Sequence, residues 1–99
     1  MIDLPPDQLE EVRRIVRQHL PGAEVFAFGS RAKGRAKKFS DLDLLVRASK
    51  PLPWLKLAEV RESFEESELP ITVDVIDWAG CSETFRQSVS ADLVSVFEN

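Results

Sequence analysis

Three aspartates carry the clearest chemical signal in this sequence. Asp41 and Asp43 stand one residue apart in Ser40-Asp41-Leu42-Asp43-Leu44, and Asp74 lies in Ile71-Thr72-Val73-Asp74-Val75-Ile76-Asp77. Side chains two apart on a strand point the same way. Asp41 and Asp43 therefore share one face, and Leu42 and Leu44 share the other. Two neighbouring carboxylates raise each other's pKa unless a cation separates them. The pairing becomes favourable around a hard divalent ion, because Mg²⁺ takes one or two carboxylates together with phosphate oxygens and waters. Asp74, between Val73 and Val75, also needs a partner, since burying an unpaired charge is costly. If the two strands are neighbours, Asp74 joins the pair. Three carboxylates can then hold two Mg²⁺ ions about 4 Å apart, the arrangement that stabilises both the attacking and the leaving oxygen of an in-line displacement at phosphorus. Asp77 falls on the opposite face near the strand end, which makes Asp74 the candidate. Asp74 is also the candidate base for the acceptor hydroxyl.

Ahead of the paired acids runs Gly29-Ser30-Arg31-Ala32-Lys33-Gly34-Arg35-Ala36-Lys37-Lys38-Phe39. Gly29-Ser30 follows an expected strand and precedes an expected helical turn. Backbone N–H groups at such a junction face outward toward an anion, and glycine lets a phosphate come close. The Ser30 hydroxyl can add a hydrogen bond, and Arg31 and Lys33 are the cations nearest the turn. A triphosphate such as ATP would then be held by metal at one end and by the turn at the other. The spacing Gly29 to Gly34 resembles a P-loop only in part. Arg35-Ala36 stand where that motif needs Lys and then Ser or Thr, so that reading is rejected.

The elements that must position these groups follow from periodicity. Leu9, Val12, Ile15, Val16 and Leu20 recur at three- and four-residue spacing, which predicts a helix from near Pro6-Asp7 to Pro21-Gly22. Glu24 to Phe28, Leu42 to Arg47 and Ile71 to Asp77 read as strands. Trp54, Leu55, Leu57, Val60 and Phe64 fit a helix from about Pro53 to Ser67. Ser82-Glu83-Thr84 opens a last helix, and Leu93 to Phe97 is a candidate short strand. The order predicts an α/β (α+β) fold, a small mixed sheet of three to four strands flanked by helices, in one domain spanning residues 1–99.

These motifs resemble the GS-x10-DxD signature of the minimal nucleotidyltransferases, within the DNA-polymerase-β-like nucleotidyltransferase superfamily. Gly29-Ser30 stands ten residues before Asp41-x-Asp43, and the later Val73-Asp74-Val75-Ile76-Asp77-Trp78 matches the strand carrying the third acid. The likeness spans about Val25 to Trp78. It implies the polymerase-β-like nucleotidyltransferase fold and Mg²⁺-dependent transfer of a nucleotide, usually AMP from ATP, to a hydroxyl. Asp41 and Asp43 would bind metal, Asp74 would complete the site, and Gly29 and Ser30 would bind phosphates. Many relatives are antitoxins that adenylylate a helical HEPN toxin on tyrosine, and others are catalytic subunits with a separate helical partner. A hetero-oligomer is expected on both grounds, because so short a chain leaves little surface for an acceptor or a base. The alternatives are a transferase for a small hydroxylated molecule, whose relatives normally carry a further acceptor domain, and a binding module that masks its partner without catalysis.

Composition sets outer limits. The chain has 99 residues, with 13 Lys and Arg against 17 Asp and Glu. Five of the cations fall at residues 31–38, where there is no acid, so a basic loop sits on an acidic body. That suggests a local anion site, not the broad basic face of a nucleic-acid binder. No stretch approaches a membrane span or a signal peptide, so a cytoplasmic protein is expected. One Cys and one His make a structural zinc site improbable. Cys81 reads as an inert thiol, His19 as a helix-end residue, and Trp54 and Trp78 as core or partner-interface residues.

Overall fold

The structure, a computed structural model, describes residues 2–97. Helix α1 (Pro6–His19) starts with proline at its first position, where no N–H is needed, and carries Asp7 in its first turn. It stops where Leu20 turns out of helical geometry ahead of Pro21 and Gly22. Strand β1 (Glu24–Phe28) leads through the basic loop into β2 (Leu42–Arg47). Helix α2 (Trp54–Glu66), strand β3 (Val73–Asp77) and a 3-10 turn (Trp78–Gly80) follow. Helix α3 (Glu83–Val89), a second 3-10 turn (Ser90–Asp92) and strand β4 (Val94–Ser95) complete the order.

The four strands lie in the order β3-β2-β1-β4. β1 is antiparallel to β2 and to β4, whereas β2 and β3 are parallel, joined by α2. The expected mixed sheet is thus present, and the short fourth strand forms. The expected helical turn after Ser30 is a hydrogen-bonded turn and not a helix: Lys33 and Arg35 donate back to Ser30 O, and Gly34 at φ +69° ends it. Strand β3 begins at Val73, two residues later than the alternation suggests, although Thr72 O still accepts from Leu42 N at 3.0 Å.

One face of the sheet is dry. Val25 and Ala27 of β1, Leu42, Leu44 and Val46 of β2 and Val75 of β3 pack against Val12, Ile15 and Val16 of α1 and Val60 and Phe64 of α2. The His19 ring nitrogen meets Ser63 Oγ at 2.8 Å, which ties the two helices together. The other face carries Asp43, Arg47, Asp74 and Ile76. It is only partly covered, with Phe85 of α3 edge-on to Phe28 at 5.8 Å. The dry face is what holds the acids outward. Leu44→Ala, at a position 1% exposed, is expected to cost about 2–5 kcal/mol, read as a fall in the chemical-denaturation midpoint.

Candidate active site

β2 and β3 are neighbours, and Asp43 and Asp74 are direct partners in their register. Asp41 immediately precedes β2, and Leu42, its neighbour, is fully buried. The alternation therefore sends all three carboxylates to the open side. Asp43 is the most enclosed. Burial pushes its pKa above the ordinary carboxylate value, and the negative charges of Asp74 and then Asp41 push it further in the same direction. The three acids are thus electrostatic neighbours. Among the described residues, none of the three makes a hydrogen bond or ion pair within the protein, so their oxygens remain open to a ligand. No three His, Cys, Asp or Glu side chains among the described residues are drawn tightly enough to ligate one ion as placed. The donor set itself, hard oxygens on adjacent strands, is the one that suits Mg²⁺.

The Gly-Ser turn touches this group directly. Phe28 pairs with Asp43 across β1 and β2, which brings Gly29 alongside the same aspartate. Gly29 has φ +77°, and a methyl on its Cα would lie 2.7 Å from Asp43 Oδ2. Backbone and carboxylate are in contact only because the residue is glycine. The Gly29 carbonyl accepts from Ala32 N and Lys33 N, which winds the turn. Among the described residues the Ser30 hydroxyl has no hydrogen-bond partner, and the N–H groups of Ser30 and Arg31 have no acceptor. Unpaired N–H groups at a tight turn form an anion-binding concavity. Lys33 is half-exposed and pairs with Asp92 at 3.3 Å.

Arg31 departs from expectation. Its side chain is buried, and its guanidinium donates to four backbone carbonyls instead of facing the open side of the turn. Four of the five N–H donors of the guanidinium are thereby committed to the protein's own backbone. Asp77, the other acid of β3, has partners within the fold. Asp77 accepts from Leu52 N at 2.8 Å and Ala79 N at 3.2 Å, so it anchors the approach to α2 and caps a 3-10 turn. Cys81 donates its S–H to Asp77 O, and burial pushes the thiol pKa up. Trp78 lies between Arg47 and Arg86. Trp54 is not core, at 79% exposure.

Residues 9–98 match the sequence profile of the nucleotidyltransferase domain. The chain belongs to that family. It is 43% identical over 97 residues to the probable protein adenylyltransferase MntA of Haemophilus influenzae, covering 98% of this chain and 85% of the relative. Among solved structures, it superposes with TM-score 0.75 on a toxin–antitoxin complex crystallised with AMP-PNP, at 23% identity, over 92% of this chain and 73% of the other. It also superposes with TM-score 0.69 on a structure of tri-AMPylated Shewanella oneidensis HEPN toxin with its MNT antitoxin, at 20% identity, over 93% and 71% of the two chains. At those identities the superpositions establish the shared fold. The expected nucleotidyltransferase architecture is thereby confirmed, and the domain is that of a nucleotide-transferring enzyme. Among the described residues, no helix is long and apolar enough to cross a membrane.

Proposed function

We propose that this domain transfers AMP from ATP to a hydroxyl, tyrosine by preference, of a helical HEPN-type partner protein, and so acts as a catalytic antitoxin in a hetero-oligomer. The observation that carries this reading is the register pairing of Asp43 with Asp74 beside the open Gly29-Ser30 turn. Support comes from the Haemophilus influenzae relative, named for protein adenylyltransfer, and from structural relatives holding AMP-PNP or an AMPylated HEPN toxin.

Asp41, Asp43 and Asp74 would hold Mg²⁺, which when bound neutralises phosphate charge and polarises the phosphorus being attacked. The Ser30 hydroxyl and the N–H groups of Ser30 and Arg31 would receive the phosphates, with Lys33 released from Asp92 to join them. Asp74 is exposed and unbonded among the described residues, so it can take the proton of the acceptor hydroxyl. The acceptor oxygen bonds to the α-phosphorus, the bond from that phosphorus to the bridging oxygen breaks, and pyrophosphate leaves.

The test is incubation with α-labelled ATP, Mg²⁺ and the HEPN-type product of the adjacent gene. Covalent label on the partner, lost when EDTA removes the metal, is the expected result. Toxin inhibition without label, surviving Asp41→Asn and Asp43→Asn together, would replace this reading with masking by binding alone. Label on a small hydroxylated molecule but not on the protein would move the acceptor class.

A further inference from the structure

The loop between β1 and β2 hangs on one side chain. Arg31 is 6% exposed, the sole buried charged residue among those described. Its Nε donates to Ser40 O at 2.9 Å, Nη1 to Asp3 O at 2.7 Å, and Nη2 to Lys37 O at 3.3 Å and Lys38 O at 3.2 Å. The Ser40 carbonyl belongs to the peptide bond that leads into Asp41. Arg31 itself belongs to the turn that begins at Gly29, and its own carbonyl accepts from Asp3 N at 2.7 Å. One residue therefore joins the phosphate-facing turn, the backbone carrying Asp41 and the segment ahead of α1.

We propose that Arg31 is a positioning residue, which fixes Asp41 and the amides of the Gly29–Lys33 turn in one frame, with the backbone of Asp3 as part of that frame. The inference rests on the transferase reading above. Fold stability alone does not account for such a placement. A buried cation without a carboxylate is expensive, and an apolar side chain of similar volume often stabilises a fold as well or better. What a guanidinium adds is a planar fork that fixes the directions of several acceptors together. Here three of the four acceptors are carbonyls of a loop that would otherwise be held by little besides Ser40, whose Oγ accepts from Lys37 N and whose N–H donates to Lys37 O. The consequence is chemical, because Asp41 and the open N–H groups must converge on the same ligand. The sequence signal was present but ambiguous: an arginine beside a Gly-Ser turn fits a phosphate ligand equally well. The burial and the contact with Asp3, 28 residues away, decide between them.

The two roles separate kinetically. A phosphate ligand sets the affinity for ATP, whereas a positioning residue sets the geometry of the reacting complex. The experiment measures kcat and KM for ATP in label transfer to the HEPN-type partner, for the wild type, Arg31→Lys and Arg31→Met, at a temperature where circular dichroism shows each folded. Lysine keeps the charge but loses the fork, so Arg31→Lys should not rescue. The expected result is a fall in kcat of about 10- to 100-fold, with KM for ATP within about threefold of the wild type. A tenfold rise in KM at unchanged kcat would return Arg31 to the phosphates. Unchanged kcat and KM with only a lower Tm would make it a purely structural residue. Should neither Arg31 variant fold, Asp3→Pro deletes one donor of the frame while leaving Arg31 in place. A severalfold lower kcat at constant KM is then expected, and an unchanged kcat overturns the proposal. Wild-type protein that labels no partner defeats the transferase reading and this inference with it. Wild-type transfer with indifferent variants defeats this inference alone.

Discussion

Asp43→Asn is expected to reduce AMP transfer by about 1,000-fold while making the ion-free protein more stable at neutral pH. The two effects share a cause. Asp43 is held above its ordinary pKa of 3.8 first by burial, then by the charges of Asp74 and Asp41. A group whose pKa is raised on folding binds its proton more tightly in the native state than in the unfolded chain. The stability associated with it is full below the unfolded value and is lost as pH rises through the folded value. At pH 7, without a cation, the ionised side chain therefore works against the fold. Asparagine keeps the shape and removes the charge. The Tm advantage of Asp43→Asn should be present at pH 7 and shrink as the pH falls toward 4. Addition of Mg²⁺ and ATP should raise the Tm of the wild type and leave that of the variant where it was. Scanning calorimetry at two pH values, with and without Mg²⁺-ATP, reads all of this. An ion-free variant that melts below the wild type at pH 7 would mean that Asp43 has a stabilising partner.

How much of the candidate site could be read from the sequence depends on how local each signal is. The acids were legible because strand alternation is a local property. Once Leu42 and Leu44 are assigned to the core, Asp41 and Asp43 have only one direction left, and the same holds for Asp74 beside Val75. That β2 and β3 are adjacent is a non-local fact, which the sequence leaves as a condition and the structure supplies through a parallel pairing joined by α2. Arg31 was not legible. Its role depends on a segment 28 residues earlier returning to the loop, and nothing in the local pattern encodes that return. Asp77 was set aside by face and strand position alone. Its use as a cap for Ala79 N and an anchor for Leu52 N appears only in three dimensions. Trp54 is a different case. Its spacing places it in α2, but it falls at the first residue of that helix, ahead of the turns whose Val60 and Phe64 reach the core.

Gly29→Ala and Gly34→Ala, compared side by side, are expected to lose similar stability and very different amounts of activity. Both glycines have positive φ, +77° and +69°. An alanine at either position pays the strain of left-handed backbone, about 1–2 kcal/mol. Their surroundings differ. A Cβ at position 34 meets nothing within 4 Å, whereas at position 29 it would stand 2.7 Å from Asp43 Oδ2, closer than such atoms can approach. A carboxylate at the end of a side chain can rotate aside, so the clash itself adds little to the stability cost. The rotation, however, turns the Asp43 carboxylate away from the position this turn sets beside Asp74. A displacement of about 1 Å in a reacting group can cost on the order of 100-fold in rate. Gly29→Ala should therefore lose about 100-fold or more in kcat for AMP transfer, and Gly34→Ala should stay within a few fold of the wild type. Their denaturation midpoints should fall by comparable amounts. Equal activity losses would show that loop strain, and not the contact with Asp43, limits the rate. A Gly29→Ala protein with full activity would show that Asp43 need not stand where this turn places it.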